Sequence, residues 1–503
     1  MTHLLVLPII IPLLTACLAV IARKSNKLQR WLGVLGMVAQ IIVSILLLWT
    51  VMTDGILADQ MGNWAAPFGI TLVADLLSAI MIVITAVMGF AVAVYSLADI
   101  DKTRESFSYY PLLHLLLMGV NGTFLTGDIF NLYVWFEVML ISSFVLLALG
   151  NEKTQMEGAI KYVIINIISS AFLLAGTGLM YGMFGTLNMA DLANRVADFE
   201  SPGMVTAVSM LFMVSFSIKA AMFPLFFWLP ASYHTPPVAI SAIFAGLLTK
   251  VGVYTLIRFF TLIFVQDVAY THTILLWAAG LTMLTGVLGA ASQNEFRKIL
   301  SFHIISQIGY MVMGLALFTP LAIVGSVFYI VHHIIVKTNL FLVSGVANRL
   351  VGSFELSKMG GLYRHYPWLG VLFLIPAFSL AGFPPLSGFW AKLTLIYAAL
   401  EIESYPIVIV ALVVGLLTLF SMTKIWAAAF WSPLSGEKPD ISGYKSRITP
   451  WDMAMLVIPM VILAMLTLTI GLYAQPFFEI SLEAAEQLLE PSVYIQAVLG
   501  NNP

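Results

Sequence analysis

The sequence has few charged residues and only one cysteine, and both shortages restrict what the chain can be. Charged residues make up 10% of the 503 residues and hydrophobic residues 60%, whereas soluble domains carry roughly 25% charged residues. The single cysteine, Cys17, cannot form an internal disulfide, and it excludes a Cys-based metal site. The sequence has no basic patch, and its net charge of −2 gives no reason to expect nucleic acid as a partner.

Motifs of covalent catalysis and nucleotide binding are also absent. There is no P-loop, no GxSxG elbow, no HExxH and no convincing dinucleotide fingerprint. We therefore expect no enzyme activity, no cofactor and no bound metal in this chain.

About fourteen apolar segments dominate the chain, each near the roughly 20 residues that a spanning helix needs. With a mean hydropathy of +0.98, the sequence predicts an all-α polytopic membrane protein with a single membrane domain over residues 1–503. The first segment lacks a basic start and has a long apolar stretch, so we interpret it as a retained helix and not a signal peptide. The predicted spans are 4–22, 31–52, 72–96, 110–126, 129–149, 158–184, 205–229, 237–261, 272–292, 299–317, 321–347, 367–398, 406–431 and 452–475.

Lysines and arginines are concentrated in every second loop, which predicts an orientation. Of 23 basic residues, sixteen fall on one side of the bundle, and only Arg195 and Arg258 fall on the other. Cytoplasmic loops carry the excess of Lys and Arg, so the rich side is predicted to be cytoplasmic and both termini to lie outside. Five more lysines lie within helices, of which Lys424 is near a helix end and suits an anchor. The sixteen are Arg23, Lys24, Lys27, Arg30, Lys102, Arg104, Lys153, Lys161, Arg297, Lys298, Arg349, Lys358, Arg364, Lys438, Lys445 and Arg447.

Two predicted helices contain helix-breaking residues. Pro224 interrupts the seventh, and Pro384 and Pro385 interrupt the twelfth; the backbone carbonyls freed by a proline need protein or water partners inside a membrane. The two sites are alike in sequence and five helices apart, and an odd offset reverses orientation. We therefore predict two inverted five-helix repeats, helices 4–8 (residues 106–262) and 9–13 (residues 270–432), each with a broken helix. Helices 1–3 (residues 1–105) precede them, and helix 14 with a tail (residues 450–503) follows.

Ionisable residues interrupt apolar segments at Glu137, Lys219 and Lys250. A charge at mid-membrane costs at least about 2.5–3.5 kcal/mol on insertion scales, so such residues line pathways or pair with one another. An opposite charge favours ionisation of both members of a Glu–Lys pair, and Glu137 and Lys219 are therefore candidate gating partners. The alternative for Glu137 is a structural ion pair or hydrogen bond between helices.

The eleventh and twelfth helices add further candidates. His333 and Lys337 are four residues apart and share a face; with His332 they suit a proton relay, because histidine titrates near neutrality. The alternative is a pair of core histidines bonded to backbone carbonyls. Lys392 extends the set on the twelfth helix. Protons are predicted to enter from the cytoplasm near Lys250, His332 and His333. His234 and His303 are candidates for the entry path: His303 could extend the relay or merely sit at the cytoplasmic entrance, and His234 is expected at the cytoplasmic end of the seventh helix.

Five stretches together resemble one family: NLYVWFEVMLISSFVLL, KAAMFPLFFWLPASYHTPPVAISAIFAGLLTKVGVYTLIR, RKILSFHIISQIGYM, HHIIVKTNLFL and AGFPPLSGFWAK. They resemble the antiporter-like membrane subunits of respiratory complex I, of membrane-bound hydrogenases and of the Mrp cation/proton antiporter. The resemblance covers most of helices 4–13. It implies fourteen helices, two inverted repeats, two broken helices and a hydrated polar axis along mid-membrane.

The resemblance also assigns residues. Glu137 matches the family's fifth-helix glutamate, Lys219 its seventh-helix lysine and Lys250 its central lysine on helix 8. His333 and Lys337 match the relay of helix 11, and Lys392 matches the terminal ionisable residue of helix 12. The complex I subunit of similar length typically has glutamate at that last position, so the lysine, the opening LLVLPIIIPLLTACLAV and the chain length resemble an Mrp subunit.

We therefore expect a proton-translocating subunit of a multi-subunit cation/proton antiporter in a prokaryotic cell membrane, driven by the proton motive force. Its expected partners are other subunits of a hetero-oligomeric complex, the lipid bilayer and protons, with Na⁺ as a further candidate. No cluster of intramembrane carboxylates suggests a Na⁺ site, so Na⁺ is expected to cross through partner subunits. The alternatives are a proton-pumping subunit of a complex I-like or hydrogenase complex, a self-sufficient solute transporter, and a structural scaffold.

Overall fold

The computed structural model describes residues 3–433 and 449–500, and over these ranges the chain folds almost entirely into α-helices. This confirms the predicted all-α polytopic fold. Three members of the basic set, Lys438, Lys445 and Arg447, lie outside the described residues.

Twelve helical segments in the described ranges are long and apolar enough to cross a membrane. One of them combines α11 and α12 through a π-helical turn, and α19 continues into a second π-helical turn (Trp426–Trp431). The segments are α1 (His3–Ile21), α2 (Asn26–Asp54), α3 (Leu76–Asp99), α6 (Ile129–Ala148), α7 (Lys153–Phe184), α9 (Pro202–Ala220), α11 (Val238–Ile243) with α12 (Thr249–Leu262), α13 (Val268–Ser292), α14 (Phe296–Leu317), α15 (Pro320–Val351), α19 (Tyr405–Ile425) and α20 (Pro450–Leu472).

Two further crossings bring the described part of the chain to the predicted fourteen. One is α5 (Tyr109–Leu125), which has 17 residues. The other is a broken helix made of α17 (Pro367–Ala381) and α18 (Ser387–Glu401).

The remaining elements are short and connect or cap the bundle. Strands β1 (Leu57–Gln60) and β2 (Thr71–Ala74) form an antiparallel hairpin in which Leu57 pairs with Ala74. The other short elements are α4 (Lys102–Ser106), α8 (Met189–Ala197), α10 (Trp228–Ser232), α16 (Leu362–His365), α21 (Ala474–Leu489), α22 (Pro491–Leu499) and two 3₁₀ turns (Met61–Asn63 and Leu356–Lys358).

Side-chain caps and prolines define where several helices begin. Asp75 Oδ1 accepts a hydrogen bond from Ser78 N at 2.9 Å and caps α3, and Asp128 Oδ1 accepts one from Asn131 N at 2.7 Å and caps α6. These aspartates satisfy amides that have no partner within the helix. Prolines start α9, α15, α17, α19 and α20, where the missing amide costs no helical hydrogen bond.

Contacts between helix ends define two faces of the bundle. On one, the basic face, Arg104 bonds Glu152 at 2.7 Å and Arg349 pairs with Asp99 at 3.5 Å. The opposite face, the terminal face, carries the β-hairpin, which contacts α1 and α22, and α21, which contacts α22. Between the two faces, α12, α14 and α15 are the most deeply buried helices.

Both predicted helix breaks are present. Helix α9 ends at Ala220, Ala221 adopts a left-handed conformation (φ 59°), and helical structure resumes at Trp228. Helix α17 ends at Ala381, and Gly382 (φ 94°) supplies the left-handed residue before α18 begins. Such positive φ angles suit glycine and are uncommon in other residues.

The predicted helix over 237–261 is confirmed as one span, Val238–Leu262, and it includes the π-helical turn Phe244–Leu248, which was not predicted. Two expectations need correction. Arg258, predicted in a loop, is buried within α12. The predicted C-terminal tail contains two ordered helices, α21 and α22, because apolar side chains on them, such as Leu488 and Val498, pack into the core.

Candidate functional site

A row of cationic and titratable side chains lies in the centre of the bundle. Lys250, His332, His333 and Lys337 have no exposed surface, and Lys219 is 4% exposed. Because ionised groups are costly to bury without partners, the surroundings of each side chain indicate what it can do.

Lys219 lies in the last turn of α9, directly before the first break. Its ammonium sits over the Phe136 ring, 5.2 Å from the centroid. Among the described residues, neither Lys219 Nζ nor Glu137 Oε1 has a hydrogen-bond partner. The predicted partners Glu137 and Lys219 lie within electrostatic range of each other. They form no hydrogen bond in this conformation, in which the Phe136 ring lies beside the ammonium.

Glu137 itself lies at the edge of the bundle. It is half-buried on α6, on a helix whose Val134 and Ile141 are 39% and 63% exposed. The carboxyl group thus faces both the protein interior and the surface that lipid or another subunit would cover.

Lys250 follows the π-helical turn of helix 8. Its Nζ donates a hydrogen bond of 2.5 Å to Ala245 O, five residues earlier. A π turn changes the register of the helical hydrogen bonds, and the lysine here binds a carbonyl within that turn. Gly246 and Gly252 allow the helix that carries Lys250 to pack closely against its neighbours. A Cβ at Gly246 would lie 2.3 Å from Thr338 Oγ1, and a Cβ at Gly252 would lie 2.4 Å from Ala220 N.

The close contacts at these two glycines also bring together the helices that carry the row of buried side chains. Gly252 brings Lys250's helix against the backbone of Lys219 and Ala220, and Gly246 brings it against α15. Small residues allow such close helix approach in membranes. On α15, Lys337 lies within electrostatic range of Lys250.

The polar groups of α15 and α14 have unused hydrogen-bonding capacity. Both ring nitrogens of His303 and of His333, and Lys337 Nζ, lack a hydrogen-bond partner among the described residues. His333 and Lys337 lie on one face of α15, as predicted from their spacing. Buried polar atoms are almost always satisfied by protein or water, so these nitrogens mark a region suited to ordered water.

His332 continues the row toward the second break through a serine junction, which we define as His332, Ser379, Ser387 and Gly388. His332 Nδ1 bonds Ser387 Oγ at 2.8 Å. The two serine hydroxyls are 3.0 Å apart, and Gly388 N donates to Ser379 Oγ at 3.1 Å. The junction therefore joins α15 to both halves of the broken helix.

Lys392 binds the end of α17. Its Nζ donates to Leu380 O at 2.9 Å and to Ala381 O at 3.1 Å, and it lies 5.0 Å from the centroid of the Tyr310 ring. A cation at the C-terminus of a helix interacts favourably with the helix dipole. The ammonium thus replaces hydrogen bonds that the break removes.

The two histidines predicted near the place where protons enter occupy different environments. His303 has no exposed surface and belongs to the buried row. His234 is half-buried at the basic face, and its Nδ1 bonds Pro230 O at 2.8 Å. Burial lowers the pKa of His234 to about 4, and Lys298 and Arg297 act in the same direction, so its ring is neutral at neutral pH.

The buried Arg258–Asp75 ion pair was not predicted from the sequence. Arg258 bonds Asp75 at 2.5 Å, and the two residues are 183 positions apart in sequence. The only local signal is the spacing of Lys250, Tyr254 and Arg258, which places all three on one face of α12.

Within residues 3–433 and 449–500, no group of three or more His, Cys, Asp or Glu is arranged to hold a metal ion. The chemistry of the row is that of lysine amines, imidazoles, hydroxyls and one carboxyl group. Such groups can bind and release protons.

Comparisons with known proteins agree on one family. The family described as NADH:quinone oxidoreductase/Mrp antiporter, TM, matches residues 126–418. The chain is similar to the D-type subunit of the Na⁺/H⁺ antiporter of Alkalihalophilus pseudofirmus, with 48% identity over 499 residues covering 99% of this chain and 100% of the relative. It is 40% identical to the D-type subunit of the Na⁺/H⁺ antiporter of Bacillus subtilis over 502 residues, covering 99% and 100%. Among solved structures it is similar to a chain of the Mrp complex from Dietzia sp. DQ12-45-1b, with a TM-score of 0.89, 33% identity, and coverage of 99% and 100%.

Proposed function

This chain belongs to the NADH:quinone oxidoreductase/Mrp antiporter family, and on that premise we propose that it is the proton-translocating D-type subunit of a multi-subunit Mrp-type Na⁺/H⁺ antiporter. Two relatives that match nearly the whole chain are named as D-type subunits of Na⁺/H⁺ antiporters. The chain is a multi-pass membrane protein, and its place is the prokaryotic cell membrane.

The observation that carries this proposal is the buried row between the two helix breaks. It starts at Lys219 beside the first break and ends at Lys392 beside the second, with Lys250 and the α15 groups between them. Neighbours interact electrostatically: His333 with Lys250 and Lys337, and His332 with Lys392. A structural scaffold would not need so many buried groups of one charge sign.

Protons enter from the basic face near Lys250 and the paired histidines His332 and His333. They then move along the row and leave near Lys392 toward the terminal face. His234 and His303 assist at the entrance, where a neutral imidazole can accept and donate a proton at its two nitrogens. The proton gradient drives the process, and no cofactor takes part.

Glu137 and Lys219 form the gate. In the present conformation they interact electrostatically without a hydrogen bond, and Phe136 lies beside the lysine. Bringing the carboxylate to the ammonium would stabilise both charges, and separating them would release a proton. Because Glu137 lies at the edge of α6, its state is also available to a neighbouring subunit.

Orientation and internal symmetry complete the proposal. The basic face lies in the cytoplasm and the terminal face outside, so both termini are external. Residues 106–262 and 270–432 are inverted repeats, supported by a helix break with a neighbouring lysine in each. Na⁺ crosses through partner subunits.

The test is Na⁺-dependent dissipation of ΔpH in inverted vesicles from antiporter-deficient cells that express the whole operon. Glu137→Gln should abolish exchange while the complex assembles normally, because the amide cannot ionise. The matched control is Glu157→Gln, which alters an exposed glutamate that bonds Lys161 at 2.6 Å, and it should exchange like the wild type.

Two outcomes would contradict the proposal. Wild-type rates of exchange in both Glu137→Gln and Lys219→Met would show that this pair does not act as the gate. A wild-type complex without any Na⁺-coupled signal would favour the redox-driven alternative, a subunit of a complex I-like or hydrogenase assembly.

A further inference from the structure

A buried ion pair lies between Lys250 and the terminal face. Arg258 Nη2 donates to Asp75 Oδ2 at 2.5 Å, and the two side chains are 6% and 2% exposed. The other carboxylate oxygen caps α3 through Ser78 N. Both carboxylate oxygens of Asp75 therefore accept hydrogen bonds, and the ion pair joins the start of α3 to the last part of α12.

The pair stands directly in line with the central lysine. Lys250, Tyr254 and Arg258 are four residues apart on α12, so their side chains follow one another along a single face, about 6 Å per step. Tyr254 donates its hydroxyl hydrogen to Phe124 O at 2.8 Å, and Arg258 Nη2 is 3.4 Å from the Tyr254 hydroxyl oxygen. A polar line thus runs from Lys250 toward the terminal face.

The C-terminal helices cover the outer side of the pair. The Arg258 guanidinium lies 5.2 Å from the centroid of the Tyr494 ring on α22, and Gln487 on α21 accepts a hydrogen bond from Leu76 N at 2.9 Å. Beyond them is a cavity of about 600 Å³ at the terminal face, whose lining includes Leu76 and Val493. Leu76 adjoins Asp75 and Val493 adjoins Tyr494 in sequence, so this cavity reaches close to the pair.

We infer that Arg258, held by Asp75, seals the outer side of Lys250 against proton passage. An arginine remains protonated in proteins, so a proton cannot pass through it by release and uptake, and its fixed positive charge repels a second cation, as arginines do in other selective pores. Arg258 and Asp75 are positioning residues: they confine protons that reach Lys250 to the row leading to Lys392. This inference rests on the proposed function.

The test measures passive ΔpH decay without Na⁺ in inverted vesicles that contain the whole complex. Arg258→Lys keeps the positive charge and a donor for Asp75, but a buried lysine can lose its proton. We expect ΔpH to decay several-fold faster than in the wild type, and adding Lys250→Met to the same chain should return the decay to the wild-type rate. Arg195→Lys is the matched control, because Arg195 pairs with Asp191 at 3.0 Å on the same face but is 49% exposed, and it should not leak.

A purely structural role predicts a different result. In that case Arg258→Lys would either remain as tight as the wild type or leak independently of Lys250, and each of these results overturns the inference. If Arg258→Lys does not assemble, the deciding variant is Arg258→Gln with Asp75→Asn. This double variant removes the fixed positive charge without leaving a buried charge unpaired, and asparagine can still cap α3. A Lys250-dependent leak in it supports the seal, and wild-type tightness overturns it. Na⁺-dependent exchange by the wild type in the same vesicles tests the proposed function separately.

Discussion

Replacing Gly388 by alanine should disconnect the serine junction without removing any charge. A Cβ at this position would lie 1.8 Å from Ser379 O and 2.8 Å from two atoms of the His332 ring. Because the Ser379 oxygen belongs to the backbone, rotation of a side chain cannot relieve the clash. The two segments must separate by about 1.6 Å to reach the 3.4 Å of ordinary contact.

That displacement exceeds the tolerance of the hydrogen bonds at the junction. The His332–Ser387 bond is 2.8 Å and the Gly388–Ser379 bond is 3.1 Å, and hydrogen bonds of these types rarely exceed about 3.2 Å. Overpacking costs about 1–3 kcal/mol of stability, whereas a misplacement of about 1 Å in a working site can lower a rate by about 10²-fold. We therefore expect Na⁺/H⁺ exchange to fall by about 10²-fold while most of the complex still assembles.

The assay is Na⁺-dependent ΔpH dissipation, normalised to the amount of assembled complex. Gly178→Ala is the matched control, since nothing lies within 4 Å of a Cβ at that position in α7, and alanine there should stabilise the helix by about 1 kcal/mol. Ser387→Ala removes the hydrogen bond between His332 and Ser387 without adding volume, and it should also slow exchange. Full exchange by both Gly388→Ala and Ser387→Ala would refute the junction as part of the proton route.

Three further changes test other parts of the molecule. Lys392→Met should abolish exchange in the vesicle assay, because the carbonyls at the end of α17 lose their donor and the row loses its last titratable group. Arg30→Ala should lower the free energy of unfolding by about 1–3 kcal/mol, as measured by thermal melting. Glu105 is 1% exposed and would lose its two hydrogen bonds from Arg30, of 2.5 and 3.1 Å, although Arg30 itself is 34% exposed. His234→Gln should leave the pH profile of exchange unchanged above pH 6.5, since the ring is already neutral there. The pKa of His234 is about 4 in the folded chain, below the ordinary 6.5. The unfolded chain therefore takes up this proton first, and unfolding is favoured only as pH falls below 6.5.

The first two of these have a matched control, and each of the three has a contrary result. Lys424→Met removes a lysine that also binds backbone carbonyls, Ala291 O at 3.1 Å and Gln293 O at 2.7 Å, but lies outside the row; equal loss of exchange in both lysine variants would argue against a special role for Lys392. Lys161→Ala breaks an exposed ion pair and should cost less than about 1 kcal/mol, so an effect as large as that of Arg30→Ala would contradict the importance of burial. A pH optimum displaced by His234→Gln would place its titration in the working range.

The sequence was informative wherever a residue type carries its own backbone constraint. Pro224 and the Pro384–Pro385 pair predicted both helix breaks, because proline cannot continue a helical hydrogen-bond ladder. The spacing of His333 and Lys337 placed them on one face. The concentration of basic residues in alternate loops predicted an even number of crossings, and the described ranges contain fourteen.

Features that depend on packing between distant segments were not predictable in this way. The π turn at Phe244–Leu248 has an ordinary helical sequence, FAGLL, and its fit depends on the close approach of Gly246 to α15. The partnership of Arg258 with Asp75 joins segments 183 residues apart. Glu137 and Lys219, predicted as gating partners, lie within electrostatic range but form no hydrogen bond, and the position of the Phe136 ring beside the lysine could not be read from the sequence.

The way Lys392 is held restricts which side chains could replace it. The two backbone oxygens at the end of α17 can only accept hydrogen bonds, so the position requires a side chain that arrives as a donor. An ionised carboxylate would set acceptor against acceptor and oppose the negative end of the helix dipole; a carboxylic acid could fit only while carrying its own proton. Lysine and glutamate are therefore not equivalent proton carriers here, and exchanging one for the other would require the end of α17 to be rebuilt as well.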